Sequence, residues 1–468
     1  MSLSRRQFIT RSGLFAAGGI LGRGLLGGAF AQKALADTIG DRYFIVLFLD
    51  GGNDGLNTIT PIANGSTGSL RAAYEAARFG GSGGLRLAPG SILDAGMVDA
   101  ATGTPIGFHP GLAGLKNLYD QGNVAVIQGC GYPDPNLSHD ESRRIWETGL
   151  RSGSGDGWVG RYLASNYGGA DIPAVNIQSS ISGDFVNDTT SVLTVSRLDR
   201  FDFPYGAEGS EENARRAALL ALCSDATGSG QGTLEYIGNN TRATIEASDS
   251  YPPLHGLYVA DRPSWNQGYE TLNTSTARDL REIAKVIYGV ENGVANVNAR
   301  FFELRNGGYD THSDQGGADP DGQHTALHRE IGNAIEQFYA DCADMGVAEK
   351  VTLLVWSEFS RRVIQNENGT DHGSQGPVFV VGGAVNGGVY GSHPDIREPS
   401  LEDGNTIYSQ SGTAGTTPYR STDFRDIYGT LLVNWLGMPQ GQVSALMPAD
   451  SGDPATRWTQ PNFNMGFV

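Results

Sequence analysis

Tyr43-Phe44-Ile45-Val46-Leu47-Phe48-Leu49 is an unbroken apolar run rich in β-formers. It ends in a loop of glycines and polar residues, Asp50-Gly51-Gly52-Asn53-Asp54-Gly55-Leu56-Asn57. A run with no polar alternation suits a strand buried on both faces, the usual state of a parallel sheet covered by helices. Similar short runs recur at 124–128, 174–177, 301–304, 351–356 and 378–381. Helical patterns lie between them at 112–119, 138–148, 213–223, 275–288 and 324–342. This alternation predicts an α/β fold, a three-layer α/β/α sandwich around a mostly parallel sheet. Ligands of such sheets sit beyond the carboxyl ends of the strands. Residues 182–263, rich in Gly, Ser, Asn and Asp around one helical patch, read as an inserted cap region. Residues 394–418 read as a long loop.

The segment before the first strand carries an address. Ser4-Arg5-Arg6-Gln7-Phe8-Ile9 matches a twin-arginine export motif, and a Gly/Ala/Leu-rich stretch follows. Ala34-Leu35-Ala36 is a small-x-small cleavage site, with Ala31 as the alternative. The expected division is a signal peptide over 1–36 and one α/β domain over 37–468. The expected partner during export is the twin-arginine translocase, and the expected location is periplasmic or secreted. Arg23 interrupts the apolar stretch, so no stable membrane span is expected. That export route usually carries folded proteins, many already holding a metal or cofactor.

Residues 1–36 hold five basic and no acidic side chains, so the rest of the chain sets 28 basic against 51 acidic residues, a net charge of −23. Such a surface repels nucleic acid and anionic membrane. Cys130, Cys223 and Cys342 allow at most one disulfide, and no Cys-x-x-Cys pair suggests a thiolate metal site.

Polar residues gather just after the expected strands. Asp50 and Asp54 follow the first. Ser138-His139-Asp140-Glu141 follows 124–128, Asp310-Thr311-His312 follows 301–304, and Ser357-Glu358 follows 351–356, with Asp371-His372 a little further on. Carboxylates and imidazoles without thiolates suit a divalent metal in an oxygen/nitrogen site: zinc, manganese, calcium, magnesium or iron. Each piece alone has a plain structural reading, as a turn, a hairpin tip or a helix cap. Their joint occurrence at successive strand ends is what points to a shared metal site. Ser138-x-x-Glu141 reads as a capping box. Ser138 also reads as a nucleophile, since a hydroxyl at a helix N-terminus sees the positive end of the dipole. His139 is open between ligand, acid/base and surface residue. His109 reads as structural, and His255, His324, His328 and His393 as surface or packing residues.

These segments, together with Trp146-Glu147-Thr148-Gly149, Gly157-Trp158-Val159-Gly160-Arg161, Gly308-Tyr309-Asp310-Thr311-His312, Trp356-Ser357-Glu358-Phe359-Ser360-Arg361, Thr370-Asp371-His372-Gly373 and Thr422-Asp423-Phe424-Arg425, resemble a family of exported bacterial proteins, the domain of unknown function 1501. That family is grouped with the alkaline phosphatase and sulfatase superfamily. The resemblance implies an alkaline-phosphatase-like core with two metals held by Asp and His, and a nucleophile at a helix N-terminus. It maps Asp54, Asp310, His312, Glu358 and His372 as metal ligands, with Asp371 as a further candidate. The family pattern favours Asp54 over Asp50. Ser138 or His139 falls at the nucleophile, and Arg361 or Arg425 would hold an anionic substrate. The chain departs from the superfamily pattern where Glu358-Phe359 replaces an Asp-His pair, in the close spacing of Asp310 and His312, and in lacking a sulfatase Cys-x-Pro-x-Arg signature. The expected activity is metal-dependent hydrolysis of an anionic small molecule or glycan ester, phosphate before sulfate. The alternative is a non-catalytic periplasmic or surface binding or assembly protein on the same fold.

Overall fold

Successive side chains of the first strand enter opposite cores. Tyr43, Ile45, Leu47 and Leu49 pack on one side, with the helices Ser275–Glu291 and Gln323–Asp344. Phe44, Val46 and Phe48 pack on the other, with His139–Thr148, Trp158–Asn166 and Phe424–Thr430. Two apolar faces explain why the run shows no alternation. The computed structural model describes residues 41–66, 70–167, 172–206, 208–396, 422–451, 458 and 462–468. The twin-arginine segment and both cleavage sites lie outside the described residues, as does the 394–418 segment from 397 onward.

The large sheet contains β1 (Tyr43–Asp50), β2 (Val124–Gly131), β3 (Ala174–Asn176), β4 (Val192–Thr194), β5 (Phe301–Gly307), β6 (Val351–Trp356), β7 (Gly376–Gly382), β8 (Gly388–Tyr390) and β9 (Thr422–Asp423). Its order is β8-β2-β7-β6-β1-β5-β3-β4, and β9 also pairs with β2. The pairs of β1 with β5 and β6 are parallel, as are those of β3 with β4 and β5, and of β2 with β8 and β9. Only β7 runs antiparallel to its neighbours β2 and β6. The fold is therefore mixed α/β, with a large, mostly parallel sheet flanked by helices.

Beside it are a three-stranded antiparallel sheet (Ile59–Pro61, Leu93–Asp99, Thr104–Phe108) and a two-stranded ribbon (Ser360–Arg361 with His372–Gly373). Residues 182–263 contain more helix than the single patch read from composition. They hold strand β4 and the helices Ser210–Thr227, Gly232–Ser250 and Pro253–Asp261, and they lead into Pro263–Leu272. Composition under-reports helix here because most of Ser210–Thr227 lies at the surface, with Cys223 its only buried side chain. All three cysteines are buried and free. Among the described residues, no helix is long and apolar enough to cross a membrane.

Candidate metal centre

The direction of the strands decides which residues meet. The carboxyl ends of β1, β2, β5 and β6 share one edge, which gathers Asp50, the approach to His139, Asp310 and Glu358. Because β7 is reversed, the residues that lead into it, Asp371 and His372, start from that same edge. The ribbon sets Arg361 directly opposite His372. Gly51 lets the loops close up: its φ is +121°, and a Cβ there would lie 2.3 Å from the Asp310 nitrogen.

His139, Asp310 and His372 bring one ligand atom each to within 4.8 Å of one another. His312 completes the group. Its Nε2 lies 3.0 Å from His372 Nε2 and 3.1 Å from Asp310 Oδ1. His372 Nε2 is 3.3 Å from that same oxygen, and His139 Nε2 is 3.4 Å from Asp310 Oδ2.

The second nitrogen of each ring has its own acceptor. His139 Nδ1 is 2.7 Å from Glu358 Oε1, His312 Nδ1 is 3.0 Å from Asp371 Oδ1, and His372 Nδ1 is 2.7 Å from the Leu137 carbonyl. Carboxylates and carbonyls only accept, so the Nδ1–H groups donate to them. In a neutral ring so held, Nε2 keeps a lone pair for a metal; in a protonated ring it donates to Asp310 or to the facing imidazole. His312 Nε2 and His372 Nε2 lie 3.0 Å apart, a contact that a proton or a metal ion between them satisfies. Two nitrogens held tetrahedrally ~2.0 Å from one metal sit about 3.3 Å apart, close to the spacing seen. His139 Nε2 also makes no hydrogen bond. The donor set fits a metal, and the outer carboxylates do what ligand-orienting carboxylates do.

Charge follows from this geometry. The hydrogen bond to Glu358 raises the His139 pKa, outweighing partial burial. Burial lowers that of His372. Burial would raise Asp310, but the hydrogen bond and charge of Arg361 outweigh it and keep the carboxylate ionised. Glu358 is fully buried and also accepts the Gly51 N–H at 3.0 Å. We expect Glu358→Gln to weaken metal binding by about 10–100-fold, measured by competition with a chelator of known affinity.

Several expected roles are displaced. Asp54 is fully buried. Its oxygens accept from Arg78 Nη1 at 2.6 Å, Arg78 Nη2 at 3.0 Å and Gln315 Nε2 at 2.5 Å. Burial alone would raise its pKa, but Arg78 and Gln315 reverse that and lower it. Asp54 therefore anchors the loop beneath the centre and is not brought to it. Glu358 and Asp371 orient rings from outside the group of Nε2 atoms. Arg361 is fully buried. It donates to the carbonyls of Gly51, Gly52, Tyr309 and Thr370 and, at 2.6 Å, to Asp310 Oδ1, which leaves it no free fork for a substrate. Arg425 is likewise occupied, by Asp423 and Asp450. Ser138 is the N-cap of its helix by backbone conformation, yet its side chain makes no capping bond, contrary to the capping-box reading. The hydroxyl is exposed beside His139. His109, His324 and His328 are fully buried and pack on one another, with ring centroids 4.0–5.2 Å apart.

A cleft of about 290 Å³ opens on the centre, lined by Asp50, Gly51, His139, Asp140, Arg143, Arg305, Gly308 and Asp310. Arg143 and Arg305 were not singled out in the sequence. The one signal for Arg143 was its place four residues after His139, on the same helix face. Arg305 pairs with Asp50.

Residues 290–414 match the model of a family described as protein of unknown function (DUF1501). The matched segment contains Asp310, His312, Glu358, Arg361, Asp371 and His372, but not His139. Among solved structures, the PsFucS1 sulfatase from Pseudoalteromonas sp. is similar at 12% identity, over 93% of this chain and 79% of that one, with a TM-score of 0.31. A score that low carries no functional argument. No curated protein matches the chain.

Proposed function

We propose that this protein is an exported, metal-dependent hydrolase of an anionic ester, phosphate before sulfate. The observation that carries the reading is the convergence of His312 Nε2 and His372 Nε2, 3.0 Å apart, on one Asp310 oxygen, with His139 Nε2 near the other. His139, Asp310, His312 and His372 would hold the metal. Three imidazoles and one carboxylate suit zinc, manganese or iron better than calcium or magnesium, which prefer oxygen shells. When bound, the metal would supply Lewis acidity toward the ester oxygens at neutral pH.

The chain's own residues would do the rest. Arg143 and Arg305, about one-third and two-fifths exposed on the cleft wall, would hold the anionic oxygens by forked hydrogen bonds. Glu358, Asp371 and the Leu137 carbonyl would keep each ring turned inward. Ser138, exposed at the start of the His139–Thr148 helix, is the candidate nucleophile. Arg143→Gln and Arg305→Gln should each raise KM for a phosphate ester by about tenfold, with a smaller change in kcat, because each removes one charge-assisted contact. Ser138→Ala should abolish turnover and leave metal content unchanged.

The test is hydrolysis of aryl phosphate and aryl sulfate esters by mature protein supplied with each divalent metal in turn. Turnover with none of them would sink the reading. Metal retained and phosphate bound without turnover would instead identify a binding protein on this fold.

A further inference from the structure

Behind the cleft lies a second polar cluster that the proposed chemistry does not use. Glu147 from the His139–Thr148 helix, Asp184 from the turn Gly183–Phe185 and Glu303 from β5 are 6%, 0% and 2% exposed. Neither Asp184 oxygen nor Glu303 Oε2 makes a hydrogen bond of good geometry, though the Trp158 N–H acts on Asp184 and the Ser182 hydroxyl on Glu303. Glu147 is pressed against the Gly183 backbone, where a Cβ would come within 2.1 Å of Oε2. Among the described residues, the direct ion pair to this cluster is Arg143 Nε to Glu147 Oε1, at 3.1 Å. Three ionised carboxylates against one guanidinium would leave net charge −2 in the core, which a protein interior does not sustain. Arg143 therefore faces two ways, toward the cleft and toward this cluster, and the field of Arg305 reaches Glu147 and Glu303 as well.

We propose that Glu147, Asp184 and Glu303 form a buried proton-sharing site, and that an anion entering the cleft is bound together with a proton taken up there. This rests on the reading of the cleft as an anion site. An anion against Arg143 and Arg305 cancels part of the positive field that favours ionised carboxylates, so the cluster holds protons more tightly. The converse must hold by linkage: anion affinity falls as pH rises and the cluster ionises. The other groups facing the cluster are Arg144, the Ser182 hydroxyl, the Trp158 ring and Tyr428. Burial is the main cause of raised pKa values in all three acids. Glu303 is pushed up to about 8. Between the ordinary carboxylate range and that value, the cluster keeps a proton that a solvated acid would lose.

The experiment is calorimetric titration of metal-loaded mature protein with inorganic sulfate, which does not titrate itself, at pH 8 in two buffers of different ionisation enthalpy. Net proton uptake per sulfate is expected, with affinity falling by up to about tenfold per pH unit. Glu303→Gln should lower the uptake and flatten that pH dependence. Glu147→Gln provides the same test if the first variant folds poorly. Sulfate binding with no buffer dependence would overturn the inference and leave the anion cleft standing. Uptake unchanged in both variants would overturn it as well. No sulfate binding by the wild type would remove the cleft reading, and this inference with it.

Discussion

Protein purified without chelator should carry about one equivalent of zinc, manganese or iron, and Asp310→Ala/His372→Ala should reduce this to background. The effect is large because the double substitution removes one of three inward nitrogens and the carboxylate they surround. It also leaves the buried Arg361 without its anionic partner, so the variant should be less stable than the wild type. Elemental mass spectrometry beside a thermal melt separates loss of the site from loss of the fold. Ser138→Ala, which removes no ligand, should keep its metal. Acid should act in the same direction. A metal and a proton compete for His139 Nε2, and Glu358 raises that ring's affinity for the proton. Metal should therefore leave as pH falls toward and through the ordinary imidazole range near ~6.5. Metal retained in the double variant, or retained equally at pH 5, would refute this centre.

Arg361→Ala should cost about 3–5 kcal/mol of stability, the penalty for breaking a buried, fully paired charge, and should remove metal binding as well. The guanidinium reaches acceptors in three separate loops: Gly51 and Gly52 after β1, Tyr309 and Asp310 after β5, and Thr370 before the ribbon. Without it those buried carbonyls lose their donor, and Asp310 loses its nearest positive neighbour. Arg361→Lys should recover only part of the loss, because one ammonium cannot follow a planar fork of donors. Denaturant unfolding monitored by the buried tryptophans gives the stability difference. An Arg361→Ala protein with wild-type stability and full metal would show that the loops hold themselves.

The sheet was readable because both of its faces are buried. A run such as 43–49 has to be apolar at every position when alternate residues enter two cores. The strands β4 and β8, three residues each and only partly buried, are too brief to stand out from loop sequence. The three-stranded sheet escaped notice because Leu93–Asp99 is half polar and broken by a register shift. Within the site, residue type points to Asp54, Asp310, His312, Glu358, His372 and Asp371 as ligands and leaves His139 open; the structure groups His139, Asp310 and His372, with His312 beside them. Type alone could not rank the carboxylates. Asp54 and Asp310 both follow apolar strands, yet Arg78 from another segment closes the first, while the second faces three rings.

What the sequence determined by itself was the layered α/β architecture and the stock of imidazoles and carboxylates at strand ends, because periodicity and local composition are properties of short segments. Tertiary structure alone decided which of those groups meet at one centre, which hold the rings from outside it and which arginines face the cleft. The reversal of β7, which carries His372 to the same edge as Asp310, and the burial of Arg78 and Arg361 depend on contacts between segments hundreds of residues apart. No local pattern encodes the direction of a neighbouring strand or the partner that will take a carboxylate's lone pairs.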